Sequence, residues 1–537
     1  MTKGREMKSI WKVAACSFLV LMGTGTVFAQ KMGGTLRTVV RDNPPSASIQ
    51  EEGTSSTVIP FMPVFNNLVL FDQSSHVNEI TNIKPDLADS WRWSEDQKTL
   101  TFKLHPGVKW HDGKPFTSAD VQCTWDTLRG KRNGGWRKNP RGNWYQNLDM
   151  ITTNGDLEVS FHLKRPQPSF LVLLASGYSP VYPCHVDGPT MRTHPIGTGP
   201  FKLAEYRRNQ VIRLVRNPDY FKKGKPYLDA IEYRVISNQG TRNLAFVSGE
   251  VDLTWAELDV DGAKGIKARQ PEAICDLGPQ PILGEVLYNP KDATMSDERI
   301  RRAIALAIDR QAFNSLMASG KVVATGIMLP KPAASWGLSP DQVKDLPGYG
   351  PDVAANREQA RKLMAQAGYG PDHHLSATLM VVNRPTHVTP ATLLADQLRS
   401  IYIDTKLDPV DISVERQRLA QRSGYQFNML SAAPAVDDPD SVLFQDFGCK
   451  SPGNFGDYCD AKTQAMIEEQ SRMADVKKRA QLVHEIDRRI VKQAVRPVVY
   501  TGYLGACRYP YVKNVVRAYN SVYNNSRLED VWLDKRP

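Results

Sequence analysis

Beyond its first thirty positions the sequence lacks any run of about 18 consecutive apolar residues, so the rest of the chain carries no candidate membrane-spanning helix. It also lacks His-Glu-x-x-His, Gly-x-Ser-x-Gly and any Cys-x-x-Cys pair, and with them the zinc-peptidase, serine-hydrolase and dithiol templates. Gly197-Thr-Gly-Pro200 is the nearest approach to a phosphate loop. It precedes a strand pattern instead of joining strand to helix, and Pro200 removes an amide donor, so a turn is expected there. Runs of one charge sign are missing too. The 68 basic and 57 acidic residues are intermixed, and basic spots such as Arg129-Gly-Lys-Arg132 and Arg207-Arg208 read as solvated loops rather than a nucleic-acid surface.

Titratable clusters are equally sparse. His373-His374 follow Gly370-Pro-Asp372 in an apparently exposed loop with no cysteine or carboxylate cluster beside them, so neither a metal nor another cofactor is expected. Asp437-Asp438 could act as an acid/base pair, but the following Pro439 fits a helix start with Asp438 at the N-cap and Pro439 at the first helical position. No catalytic residue is assigned.

What is present begins with Lys3, Arg5, Lys8 and Lys12, an uncharged apolar run from Val13 to Phe28, and small residues up to Ala29. This pattern predicts a signal peptide cut after Ala29, hence export and a periplasmic location. Six cysteines would remain in a compartment that permits disulfides. Cys449 and Cys459 bracket a Gly, Pro and Asn-rich loop, and a bridge between them is expected to contribute about 3 kcal/mol on the chain-entropy account. The pairing of Cys123, Cys184, Cys275 and Cys507 is open at this point.

At 537 residues and 41% hydrophobic, the chain is long enough for two or three domains. Alternation at Leu100–Leu104 and Leu157–Leu163 predicts half-buried strands, and Val211–Val215 a more buried one. Past about residue 285 helical spacing takes over. Ile300, Ala303, Ile304, Ala307 and Ile308 form one apolar face, with Ser296 or Asp297 as cap, and Ala360, Leu363, Met364 and Ala367 form another. Together with the strand pattern at Leu375–Val382, these helices make this half read as an alternating α/β unit. One helix is expected from about Ala461 to Val495, and strand character returns from Val498, so the chain leaves one lobe, builds a second and comes back.

Leu87-Ala-Asp-Ser-Trp-Arg-Trp-Ser-Glu-Asp-Gln-Lys-Thr-Leu-Thr-Phe-Lys-Leu-His-Pro-Gly-Val-Lys-Trp-His-Asp-Gly-Lys-Pro-Phe-Thr-Ser-Ala-Asp-Val121 closely resembles the identifying segment of the extracellular solute-binding proteins of family 5, the dipeptide and oligopeptide receptors of ABC importers. Pro195–Phe201, Arg216–Tyr220, Ser248–Asp252, Arg301–Arg310 and Ala365–Tyr369 stand in the family's order. The resemblance implies a two-lobed α/β periplasmic-binding-protein fold of type II with an extra subdomain. On this chain the first lobe falls at 31–71, 190–285 and 498–537, the inserted subdomain at 72–189, and the second lobe at 286–497. It implies a monomeric receptor that takes a small molecule, a peptide or a peptide-like compound, between its lobes and passes it to a membrane permease served by separate ATPase subunits. A non-peptide ligand on the same fold is the alternative; a glycosidase-like enzyme and a chaperone-like envelope protein are the rivals from other classes.

Peptide receptors of this family hold the ligand's α-ammonium with an Asp three residues before the acid of an Asp/Glu-Pro pair. Here Asp438-Pro439 is that pair and the anchor position is Ala435, which leaves Asp437 as the carboxylate nearby. Trp255 and Asn289 resemble positions near the cleft. Simple dipeptides are therefore expected to bind weakly and blocked or modified ones better.

Overall fold

The structure, a computed structural model, describes residues 1, 30–255 and 258–534; the expected leader after Met1 and its cleavage point lie outside the described residues. One sheet comprises β1 (Thr35–Val40), β2 (Phe201–Arg207), β3 (Val211–Arg216) and β4 (Ala230–Val235) in the spatial order β1-β4-β3-β2, with β1 and β4 parallel. A second sheet comprises β5 (Ile274–Tyr288), β6 (Leu375–Val382), β7 (Ile403–Val410), β8 (Phe427–Ala432) and β9 (Val498–Arg508) in the order β7-β6-β8-β5-β9. Its β6 is parallel to both β7 and β8, while β5 runs antiparallel to β8 and β9.

Helices Glu298–Ala307 and Val353–Gln366 pack the predicted apolar faces onto the second sheet: Ile300, Ala303, Ile304, Ala360 and Met364 share a core with Leu379, Val381, Phe427 and Met429. Asp297 caps the first of these helices by accepting from the Arg299 amide at 2.8 Å. The predicted helix from 461 to 495 is two helices, Ala461–Gln470 and Val476–Lys492. Apolar spacing carries across the break, but Ser471 gives its hydroxyl to Asp440 at 2.7 Å, and Asp475 caps a new helix through the Lys477 and Lys478 amides.

A separate four-stranded antiparallel sheet holds Ala88–Trp93, Thr99–Leu104, Glu158–Leu163 and Leu148–Thr153 in that order, backed by helix Ser118–Leu128. Trp125 meets Phe161 edge-on at 5.0 Å beneath it, and a capping box between Thr117 and Asp120 starts the helix. The family-like segment from Leu87 to Val121 folds almost wholly into this unit.

Two strands serve both lobes. The first part of β5 pairs with the last part of β9, and Leu253 bridges Thr38 of β1 to Arg508 of β9, which joins these strands to the first sheet. The far part of β5, Leu283–Tyr288, pairs with β8 in the second. Between them the register slips: Pro279 faces Tyr503, but Leu283 faces Thr501. Pro279 and Pro281 have no amide hydrogen, so the ladder cannot be continuous there, and the strand bulges.

Three disulfides are present among the described residues: Cys123–Cys184, Cys275–Cys507 and Cys449–Cys459. Gly197 and Gly199 have a steric cause. A β-carbon at Gly197 would stand 1.9 Å from the Val64 carbonyl oxygen, so this turn must be bare for the Val64 backbone to pass. No helix among the described residues is long and apolar enough to cross a membrane.

Candidate functional site

A cavity of about 360 Å³ lies where the two lobes meet. From the first lobe it is walled by Arg41, which follows β1, by Thr54 and Ser55 at the start of helix Ser55–Phe61, and by Asp259 to Asp261 at the start of helix Val260–Arg269. The second lobe contributes Val382 at the end of β6, Arg384 to His387 entering helix Pro385–Arg399, Glu415 and Arg416 on helix Ile412–Gln421, and Ser431 to Ala433 at the end of β8. Gln280, Ile282, Gly502 and Tyr503 of the crossing strands form the floor. The cavity thus lies beyond the carboxyl ends of β1, β6 and β8, where open α/β sheets place their ligands because the chain leaves each strand there in a loop free to vary.

The lobes touch across this cleft. Arg384 of the second lobe reaches Asp42 of the first at 2.9 Å, and Asp42 also holds Arg41 at 2.8 Å and accepts from Ser56. Burial by itself would raise the Asp42 carboxyl, but Arg41 and Arg384 outweigh it and hold it below its ordinary range. A second contact joins the loop after β8 to the C-terminal tail: Ser521 and Asn524 donate to the Ala435 carbonyl at 3.2 Å each, and Asn520 donates to Asp437 at 3.2 Å.

Asp437 and Ala435 are brought together, but at the lobe contact and not in the walls of the large cavity. Asp437 accepts from the Ser335 amide at 3.2 Å as well as from Asn520, and burial pushes its carboxyl up to about 6. Its neighbour Asp438 caps the next helix, accepting from the Asp440 amide at 2.9 Å with Pro439 at the first helical position. Ala435 packs with the first lobe's core. Trp255 is half-buried against that core, and Asn289 is buried in a turn, donating to the Tyr425 carbonyl at 2.7 Å and accepting from the Lys291 amide at 3.0 Å. The four are thus not assembled around one space. Two adjacent acids of the first lobe are engaged elsewhere, Glu51 with Arg192 at 2.8 Å and Glu52 with Ser46 and Arg137.

No group of three or more His, Cys, Asp or Glu suited to a metal occurs among the described residues, and His374 is turned to Asp404 at 3.1 Å. Sequence reasoning missed the cavity's arginines, Arg41, Arg384, Arg416 and Arg517, because they come from four distant segments and none lies in a recognisable motif.

The family model described as bacterial extracellular solute-binding proteins, family 5 Middle, matches residues 82–454. This chain belongs to that family. Its members are binding proteins of the cell exterior and periplasm. Among curated relatives, a Pseudomonas aeruginosa (strain UCBPP-PA14) protein named "Probable di/tripeptide-binding protein 5" is 27% identical over 467 residues, which is 80% of this chain and 83% of the relative. Among solved structures, the periplasmic binding protein DppA from Helicobacter pylori in complex with peptide STSA superposes with a TM-score of 0.80 at 21% identity, covering 94% of this chain and 99% of that one. The binding protein AgaA from Agrobacterium tumefaciens R10, in complex with agropinic acid, gives 0.79 at 23% identity over 94% and 99%. The solute-binding protein described here therefore has the two-lobed α/β fold of periplasmic peptide-binding proteins.

Proposed function

We propose that this solute-binding protein is the exported receptor of an ABC importer and that it closes on a peptide or peptide-like small molecule, which it delivers to a membrane permease with separate ATPase subunits. The observation that carries this reading is the cavity between the lobes, walled from both sides and floored by the strands that connect them. Relatives named for di- and tripeptides favour a peptide-like ligand; AgaA, whose ligand is agropinic acid, is the precedent for a non-peptide one. The protein acts as a monomer, with lobes divided as the sequence suggests, and performs no chemistry on what it binds. Asp437 and Ala435 serve the closed contact between lobes, and Trp255 and Asn289 support the cleft from behind.

Closure is driven only by the ligand's better affinity for the closed form than for the open one. Ligand at a hundredfold excess over its dissociation constant is expected to add about 2.7 kcal/mol of stability and to shrink the radius of gyration. Native mass spectrometry of the purified protein identifies the small molecule that travels with it, and scattering with and without that molecule reads the change in size. An unchanged radius at saturation would remove the closing mechanism. Export is tested separately: N-terminal sequencing of periplasmic material should begin at Gln30, and an intact Met1 there would contradict it.

A further inference from the structure

Resting on that receptor reading, we infer that the cleft is built for an acidic, N-blocked peptide-like ligand, whose anionic group is taken up by Arg517 from the first lobe and Arg416 from the second. Arg517 is 8% exposed and lies in the cavity wall. Its Nη1 donates to the Asp276 carbonyl at 3.1 Å and the Leu504 carbonyl at 3.4 Å; no carboxylate lies within ion-pair distance of it among the described residues, and the Asp276 carboxylate acts on it from further away. A guanidinium carries five donors and keeps its charge in proteins, so a buried one that gives hydrogen bonds only from Nη1 to two carbonyls has donors left for an anion in the cavity it lines. Arg416 reaches the same cavity from the opposite lobe. Its one ion pair among the described residues is with Glu415 at 3.6 Å, Asp446 acts on it only from further away, and its half-exposed side chain makes no hydrogen bond there.

The carboxylates of the wall are all engaged. Asp259 is spent on capping, accepting from the Gly262 amide at 2.7 Å; Asp261 is 89% exposed at the rim and paired with Lys264; Glu415 is buried and accepts from Asn428 at 3.0 Å. A buried α-ammonium would lose its hydration, at a cost of several kcal/mol, and would meet only acids that already have partners among these described groups. A carboxylate would gain partners that are already in place. The field has the matching sign: burial together with Arg384, Arg41 and Arg416 pushes the His387 imidazole in this wall down to about 3. The helices that begin at Val260, Pro385 and Ile412 also present their amino ends to the cavity, which adds partial positive charge.

Calorimetry with three matched probes decides the matter: N-acetyl-Ala-Glu, free Ala-Glu, and the uncharged N-acetyl-Ala-Gln amide. N-acetyl-Ala-Glu is expected to bind at least tenfold tighter than either of the others. Arg517→Gln should weaken it by thirtyfold or more and Arg517→Lys by less. Arg416→Gln should weaken it about tenfold while leaving the melting temperature of the ligand-free protein unchanged, which separates recognition from folding. Binding of free Ala-Glu or of the uncharged amide to within tenfold of N-acetyl-Ala-Glu, or indifference to both arginine variants, overturns the inference and leaves the receptor reading intact. Failure of all three probes also overturns it. The receptor reading itself fails only if, in addition, no small molecule accompanies the native protein.

Discussion

Replacing Arg479 by Ala is expected to lower the free energy of unfolding by about 3–5 kcal/mol, the cost of stranding buried carboxylates without their cation. Arg479 clamps Asp438 with two bonds, Nη1 to Oδ2 at 2.8 Å and Nη2 to Oδ1 at 2.7 Å, and touches Asp440 at 3.3 Å. Both acids are buried, and Asp440 is a junction: Ser169 donates to it at 2.6 Å, Gln167 at 3.2 Å, Ser471 at 2.7 Å and Gln470 at 2.6 Å. Two stretches of chain far apart in sequence, 167–169 and 470–479, converge on that carboxylate. Removing the guanidinium leaves two negative charges close together in a medium that hydrates neither. Urea denaturation of parent and variant, compared at equal slope, measures the loss. A change under 1 kcal/mol would mean that water reaches the pair and that the cluster does little for stability.

Arg527→Ala is expected to cost about 3 kcal/mol at neutral pH and to move acid unfolding to higher pH. Arg527 is fully buried and donates to Asp86 at 2.9 Å and Asn67 at 3.3 Å; Lys222 reaches the other Asp86 oxygen at 2.7 Å and Glu529 at 3.0 Å. Burial alone would raise the Asp86 carboxyl, but Arg527 and then Lys222 overcome it and hold it at about 2. Because this value lies below the ordinary 3.8, the group stabilises the fold above about pH 4, and that contribution is lost as the pH falls towards 2. Without Arg527 the carboxyl keeps its burial and loses its main counter-charge, so it protonates earlier and the acid limb shifts upward. Lys222, only partly exposed, keeps the effect near the lower end for a broken buried pair. Denaturation midpoints between pH 2.5 and 7 test both halves; coincident acid limbs would refute the account.

These two clusters also mark where the sequence stops being readable. Asp438 at a helix cap was legible because the cap, the proline and the helix are consecutive, and local chemistry needs no tertiary knowledge. The same holds for the apolar faces at Ile300 to Ala307 and Ala360 to Met364, and for the strands at Leu100, Val159 and Ile212. Ser471 was not legible as a helix break, because what diverts it is Asp440, a residue 31 positions away. Asp437 looked like a ligand group because its neighbours in sequence suggested one, whereas its bonds go to Ser335 and Asn520, which only the folded chain brings near. The wall arginines failed for the opposite reason: Arg416 and Arg517 are ordinary residues in their own segments and acquire meaning only by sharing a cavity.

The crossing strands carry one mechanical consequence. Cys275 faces Cys507 in the β5–β9 ladder, and the two are covalently joined on the first-lobe side of the slipped register at Pro279. A pair of strands riveted at one end and unladdered in the middle behaves like a door leaf on a fixed jamb. It can bend at the gap, but on the first-lobe side the two strands cannot slide past one another without breaking a covalent bond. In the closure proposed above, both strands therefore enter the gap from one fixed register, and the second lobe swings from the same footing each time.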